Sequence, residues 1–229
     1  MLAADLPYAI EHGQLTVFYQ PLLHLPSRTI TGFEALLRWR HPEIGLVPPN
    51  HFIPLAEETG LILPIGTWAL RTACTQIKAW SRMGEAPLRV AVNLSPRQFA
   101  QDDLYATVVE VLNDTGLDPT LLELEITESL MMNNPDHAAT VLRNLKNIGI
   151  RLAIDDFGTG YSSLSYLKRF PIDHVKIDRS FIKDIPGNAD DVSITNAIIA
   201  MAHNLRLQVI AEGVETREQA GFLMQHQCE

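Results

Sequence analysis

A chain of 229 residues with 46% apolar content suits one large α/β domain or two small ones around a sizeable core. Its 18 basic against 27 acidic residues leave a net charge of −9, which excludes a wide duplex-binding face, because neutralising nucleic-acid phosphates needs clustered Lys and Arg; a small phosphate ligand held through metal ions stays compatible. Two cysteines, Cys74 and Cys228, are too few for a disulfide framework and lack metal-type spacing, so they point to a reducing compartment. The first residues carry no charged-then-apolar signal pattern, and no apolar run of about 18 residues occurs. The domain is expected to be soluble, with any membrane segment outside it.

In chain order, Leu15 to Tyr19 reads as a strand stopped by Gln20-Pro21. Thr29 to Trp39 is predicted as a second strand, with Glu34, Leu36 and Arg38 on one face by the period of two. Pro42, Pro48, Pro49 and Pro54 predict a loop. Ile65, Trp68, Ala69, Ala73, Ile77 and Trp80 recur at helical spacing, which sets Trp68 and Trp80 toward the core and makes Cys74 a small buried hydrophobe. Leu88 to Ser95 is the third strand, with Ala91, Asn93 and Ser95 on one face. Asp102 or Asp103 is placed to cap a helix carrying Val108, Val111 and Leu112.

Leu121 to Glu128 is the fourth strand, its Glu123, Glu125 and Thr127 opposing Leu122, Leu124 and Ile126. Val141, Leu142, Leu145 and Ile148 mark a helix that stops at Gly149. The fifth strand, from Ile150, ends in Asp155-Asp156, and a glycine-rich turn through Gly158 and Gly160 comes at once after it. His174 to Phe181 is the sixth strand, with Lys176 and Asp178 on one face. Ile194, Ala197, Ile198, Met201 and Leu205 form the stripe of the next helix, and Leu207 to Glu215 is the seventh strand. Thr216 with Gln219 three residues on reads as a capping box that opens the last helix.

Strands alternating with helices imply a mostly parallel sheet, and polar residues near the strands' C-terminal ends favour a barrel over an open doubly wound sheet. Six strands offer one candidate each at that face: Glu34, Asn93, Glu125, Asp155, Lys176 and Glu212. The adjacent acids Asp155 and Asp156 repel each other, and no side-chain counter-ion stands next to them in sequence, so the cation expected there is a metal. Carboxylates and an amide without Cys or His suit Mg²⁺ or Mn²⁺. The surplus of carboxylates points to two ions, about 3.5–4 Å apart, of the kind that activates water in phosphoester hydrolysis. Lys176 is placed to orient that water or balance phosphate charge. Gly158-x-Gly160 lacks the third glycine of a phosphate loop and reads as a mobile loop over the site. The eight histidines show no ligand spacing and are assigned surface or packing roles.

Six motifs occur in a telling order: Glu34-Ala35-Leu36, Asn93-Leu94-Ser95, Glu125-Ile126-Thr127-Glu128, Asp155-Asp156-Phe157-Gly158-Thr159-Gly160-Tyr161-Ser162-Ser163-Leu164, Lys176-Ile177-Asp178 and Glu212-Gly213-Val214-Glu215. Together they resemble the EAL domain, a family that hydrolyses the bacterial second messenger cyclic di-GMP. The resemblance runs from Tyr19 to the C-terminus, and one domain over 1–229 is expected. It implies an α/β fold, a TIM-like (β/α)8 barrel with an antiparallel first strand, and Mg²⁺- or Mn²⁺-dependent opening of the ring to linear pGpG. By motif position, it implies that Glu34, Asn93, Glu125 and Asp155 hold the first metal. Asp155 and Asp156 would hold the second, with Glu212 coordinating directly or through water. Lys176 would contact the attacking water, with Glu212 the competing candidate for general base. Gln20, Leu36 and Arg38 would position the ligand, Arg38 through phosphate. Glu128 would anchor the loop Phe157 to Leu164, while Asp178, set beside the substrate, and Glu215 would support the metal shell.

Two departures stand out. Gln227 precedes Cys228 where the family has glycine, and a non-glycine residue in a left-handed cap costs about 1 kcal/mol. The family's next strand, which begins Gln-Gly, is absent, so the expected barrel lacks its last strand and carries two unpaired edges. The rival reading is a catalytically silent EAL domain that serves as a cyclic di-GMP receptor or an interaction module; an unrelated Mg²⁺-dependent lyase barrel accounts for the acids but not for Gln20, Arg38 and the loop motif. The resemblance also implies a cytoplasmic domain without membrane contact, homodimerisation, and fusion to sensory or GGDEF-type domains outside this chain.

Overall fold

The structure is a computed structural model that describes residues 2–81, 87–160 and 167–229. The chain forms two compact units, Met1–Leu22 with Thr31–Leu122, and Leu23–Ile30 with Glu123–Glu229. In both, strands alternate with helices, as the apolar periodicity predicts.

The first unit contains most of β1 (Leu15–His24) and β2 (Thr29–His41), with β3 (Gly45–Val47) and β4 (Arg89–Asn93). Residues 25–28 join β1 to β2, a link that allows only an antiparallel return. β2 pairs parallel with β4, from Gly32 opposite Arg89 to Ala35 opposite Val92, and antiparallel with the short β3. Pro21 does not end β1 as expected; the strand runs on to His24. Among the described residues β1 pairs with β2 alone, and proline is tolerated in a strand with one unpaired side.

The expected proline loop is also corrected: Pro49–Thr59 is a helix. Pro48 sits at its N-cap and Pro49 in its first turn, where no intrahelical N–H bond is lost, and Pro54 lies inside it. Phe52 and Ala56, four apart, are fully buried from this helix and outweigh the single bond that Pro54 forgoes. They join Leu6, Leu15, Trp39, Val47, Ile62 and Ile65 in one core, against which Trp68 packs. The next helix, Ile62–Ser81, has the expected apolar stripe, with Ala73, Cys74 and Ile77 buried. Its Trp80 packs on Tyr19 and Phe33, at 5.1 and 4.9 Å between ring centres. Asp103 occupies the N-cap position of the helix Leu104–Thr115 but makes no side-chain cap bond, against the expected role.

The second unit is built on parallel strands: β5 (Leu122–Thr127), β6 (Arg151–Phe157), β7 (His174–Ile177) and β8 (Gln208–Ala211). β5 is buried on both faces. Its Glu123 is therefore matched internally: His174 Nδ1 bonds the Glu123 carboxylate, and His174 Nε2 lies 2.8 Å from Gln208 Oε1. Lys146 grips Asp173 at 2.5 and 2.6 Å, and Asp173 Oδ2 accepts the Leu152 N–H at 2.9 Å.

Three expected elements change here. β7 ends at Ile177, because Asp178 leaves the strand to N-cap the helix Arg179–Ile182, accepting the Ser180 N–H at 2.9 Å. β8 ends at Ala211 rather than Glu215; Glu212 adds one bond to the Ile177 carbonyl at 3.1 Å, then Gly213 turns at φ 68°. The helix Ala189–Asn204 buries Thr195, Ile198, Ile199 and Ala202, a stripe rotated from the expected one, so that Ile194 and Ala197 face outward. Thr195 sets that rotation by donating its hydroxyl to the Phe181 carbonyl. The Thr216–Gln219 capping box forms as expected before the last helix, Arg217–Gln225. Gln227 has φ 63°, the left-handed cap expected of it, while Cys228 N–H reaches back to the Leu223 carbonyl at 3.0 Å.

Candidate functional site

In a regular strand, Asp155 and Asp156 would point to opposite faces. The register of β6 on β7 prevents this. Ile154 stands opposite Val175 and Phe157 opposite Ile177, so Asp155 and Asp156 together oppose the single residue Lys176. This is a β-bulge, and Asp156 accommodates the extra residue in the left-handed region, at φ 53°. For a non-glycine residue that conformation costs on the order of 1–2 kcal/mol, and such strain concentrates at functional sites. Its effect is convergence: oxygens of Asp155, Asp156 and Glu212 all lie within 4.8 Å of one another.

Lys176, 1% exposed, fills the centre of this group. Its Nζ lies 2.8 Å from Glu125 Oε2, 3.2 Å from Asp155 Oδ1 and 2.6 Å from Glu212 Oε1. The expectation that the two acids lack a local side-chain counter-ion is thus corrected. Parallel pairing brings Lys176 in from the neighbouring strand, which linear sequence does not show. Among the described residues, the carboxylates of Glu125, Asp155, Asp156 and Glu212 gather about this one ammonium. Burial first, then the charges of Asp155 and Asp178, push the Asp156 carboxyl above its ordinary range, against the opposing pull of Lys176. A hard divalent cation would stabilise the charged form of such crowded carboxylates, and the all-oxygen donor set suits Mg²⁺ or Mn²⁺.

Surrounding residues hold this arrangement. Glu128, buried at the start of the helix Glu128–Asn133, accepts the Gly158 N–H at 3.3 Å, and a Cβ at Gly160 would lie 3.3 Å from its carboxylate. Glu128 thus holds the first residues of the expected loop; its portion from 161 to 164 lies outside the described residues. Gly213 allows close approach at the other side, since a Cβ there would come within 2.8 Å of Arg179 Cβ. Glu215 is exposed, and its backbone N–H donates to Gln219 Oε1 at 2.7 Å.

The first unit brings together Glu34 and Asn93: the Asn93 amide donates to Glu34 Oε1 at 2.9 Å. Asn93 closes β4, and the chain just beyond it is tightly fixed. Ser95 and Gln98 form a capping box, and the Gln98 side chain occupies the space left by the missing Cβ of Gly66. Gln20, Leu36 and Arg38 lie on β1 and β2, with Arg38 Nη1 donating to the Leu37 carbonyl at 2.8 Å. Sequence reasoning missed the role of Gln98, although Ser95 and Gln98 stand at the capping-box spacing that identified Thr216.

Among the described residues no helix is long and apolar enough to cross a membrane. A sequence profile of the EAL domain matches residues 3–229. The chain is 47% identical over 227 residues to the bifunctional diguanylate cyclase/cyclic di-GMP phosphodiesterase MucR of Pseudomonas aeruginosa, covering 99% of this chain and 33% of that protein. It is 46% identical over 225 residues to the cyclic di-GMP phosphodiesterase NbdA of the same organism, covering 98% of this chain and 29% of the relative. The chain therefore spans about a third of the length of these curated relatives. A solved structure of the PaMucR phosphodiesterase in complex with c-di-GMP matches with a TM-score of 0.97 at 46% identity, covering 100% of this chain and 92% of that one. The fold is the expected α/β class, with mostly parallel strands after an antiparallel first strand.

Proposed function

The chain belongs to the EAL domain family, and from that premise we propose that residues 1–229 act as one metal-dependent phosphodiesterase domain that hydrolyses cyclic di-GMP to linear pGpG. The observation that carries this reading is the bulge at Asp155-Asp156, which turns two neighbouring acids toward Glu212 around a buried lysine. Relatives named as cyclic di-GMP phosphodiesterases, and a close structural match solved with c-di-GMP, support the substrate.

Glu34, Asn93, Glu125 and Asp155 are the proposed ligands of one Mg²⁺ or Mn²⁺ ion, and Asp155, Asp156 and Glu212 those of a second. When bound, such ions supply a water activated at neutral pH and offset charge on the leaving oxygen. Lys176 holds Glu125, Asp155 and Glu212 at fixed distances and stands ready to hydrogen-bond the attacking water, while Glu212 remains the other candidate to take its proton. Gln20, Leu36 and Arg38 are proposed to seat the dinucleotide, Arg38 by paired hydrogen bonds to phosphate. Asp178 orients Asp156, Glu128 fixes the backbone after it, and Glu215 supports the turn that carries Glu212.

The test is direct: incubate the purified protein with Mn²⁺ and cyclic di-GMP and track the products chromatographically. Conversion to pGpG is expected. Unchanged substrate from folded, metal-loaded protein would refute the enzymatic reading.

A further inference from the structure

The face of the first unit that carries Gln20, Glu34, Leu36 and Arg38 continues past the residues assigned to it. By the period of two, Arg40 comes after Arg38 on β2 and Phe18 precedes Gln20 on β1. Phe18 is 39% exposed, and both guanidiniums lie over its ring, Arg38 at 5.6 Å and Arg40 at 6.0 Å from the ring centre. The Arg40 backbone is pinned: its N–H donates to the Gln14 carbonyl at 2.7 Å, while the neighbouring Trp39 is buried and donates its indole N–H to Gln14 Oε1 at 2.9 Å. Trp39 facing the core obliges Arg40 to face out. Among the described residues, neither Arg38 nor Arg40 forms an ion pair, in a chain where acids outnumber bases 27 to 18. Two like charges held against one aromatic ring, neither of them ion-paired among the described residues, form a site for an anion with more than one negative group.

We propose that Arg40 is a further substrate-binding residue, taking a phosphodiester of the cyclic dinucleotide beside Arg38, and that Phe18 is the positioning residue that holds both guanidiniums. This rests on the phosphodiesterase reading and deepens it. A cyclic dinucleotide has two phosphodiesters; while one is hydrolysed, the other needs charge compensation away from the reacting atoms. Arg40 acts on binding and not on the chemical step.

The experiment is steady-state kinetics on cyclic di-GMP with Mn²⁺ at increasing NaCl, for the parent, Arg40→Gln, Arg40→Lys and Phe18→Leu. Arg40→Gln is expected to raise KM about 3- to 10-fold with kcat within about twofold, and to flatten the fall of kcat/KM with salt. Arg40→Lys keeps the parental salt dependence but recovers only part of the affinity, because an ammonium cannot replace the planar fork. Phe18→Leu raises KM less than Arg40→Gln. A merely structural role would lower the unfolding temperature and leave the salt dependence alone. An Arg40→Gln variant with parental KM and salt dependence, beside a parent that turns over, overturns this assignment and leaves the phosphodiesterase reading intact. A parent that neither binds nor hydrolyses the dinucleotide overturns both.

Discussion

Lys176→Met tests the electrostatics of the cluster most severely. The side chain is 1% exposed and its Nζ lies within 3.2 Å of three carboxylates. Methionine fills similar space with an adaptable apolar chain, so packing is largely kept and the charge alone is removed. Breaking a buried ion pair from one side costs about 3–5 kcal/mol, because the remaining charge is buried without its partner. For a domain of this size, that corresponds to a fall in unfolding temperature of about 6–20 °C. A divalent cation should then replace part of the lost charge. At a concentration about 100 times its Kd, a bound ion adds about 2.7 kcal/mol, and the gain on adding Mn²⁺ should be larger in the variant than in the parent. Thermal unfolding monitored by circular dichroism, first in EDTA and then with Mn²⁺, reads both effects. A variant that melts within about 2 °C of the parent in EDTA would show that Lys176 does not neutralise these acids, and the reasoning would fail.

Three further outcomes are expected. Glu34→Ala should lower turnover of cyclic di-GMP at least about 100-fold while leaving measurable dinucleotide binding, since Gln20 and Arg38 remain; parental activity in the variant would remove Glu34 from the ligand set. Gln227→Gly should stabilise the protein by up to about 1 kcal/mol, or about 2–4 °C, by relieving the left-handed cap at φ 63°, and a lower melting temperature would contradict that account. Burial pushes the thiols of Cys74 and Cys228 up to about 12, from an ordinary 9.0, with the charge of Glu229 adding to the second. Unfolded thiols therefore ionise before folded ones, so this contribution to stability is full below pH 9 and is lost as pH rises from there toward 12. Melting temperature across that range should fall, and neither thiol should react with a disulfide reagent in native protein at about pH 8; rapid native labelling would count against their burial.

Features that depend on neighbours in sequence were legible before the structure. The Thr216–Gln219 capping box and the helix stop at Gly149 are set by spacing within one turn, the left-handed cap at Gln227 is implied by the family resemblance, and all are found. Alternating strands and helices, with acids near the strand ends, likewise arise from local periodicity. The features that were not legible depend on pairing between strands. The bulge exists only because β6 and β7 pair two residues against one, and Lys176 becomes the counter-ion of Asp155 only through that register. Pro54 within a helix and the rotated stripe of Ala189–Asn204 are cases where tertiary burial of Phe52 and Ala56, and the Thr195 hydroxyl bond, overrode local signals. Asp178 carries its N-cap signal in its residue type, but apolar Ile177 and Phe181 on either side made the segment read as one strand.

In the proposed mechanism, a strained bulge turns Asp155 and Asp156 toward shared cations. Equilibrium dialysis against Mn²⁺ for the parent and Asp156→Asn tests it most directly, since asparagine tolerates the left-handed backbone and removes only the charge. Saturable binding of Mn²⁺ by the parent is expected, with a loss of at least one bound ion, or about a tenfold weaker Kd, in the variant. Equal binding by the two proteins, or none by the parent, would contradict it.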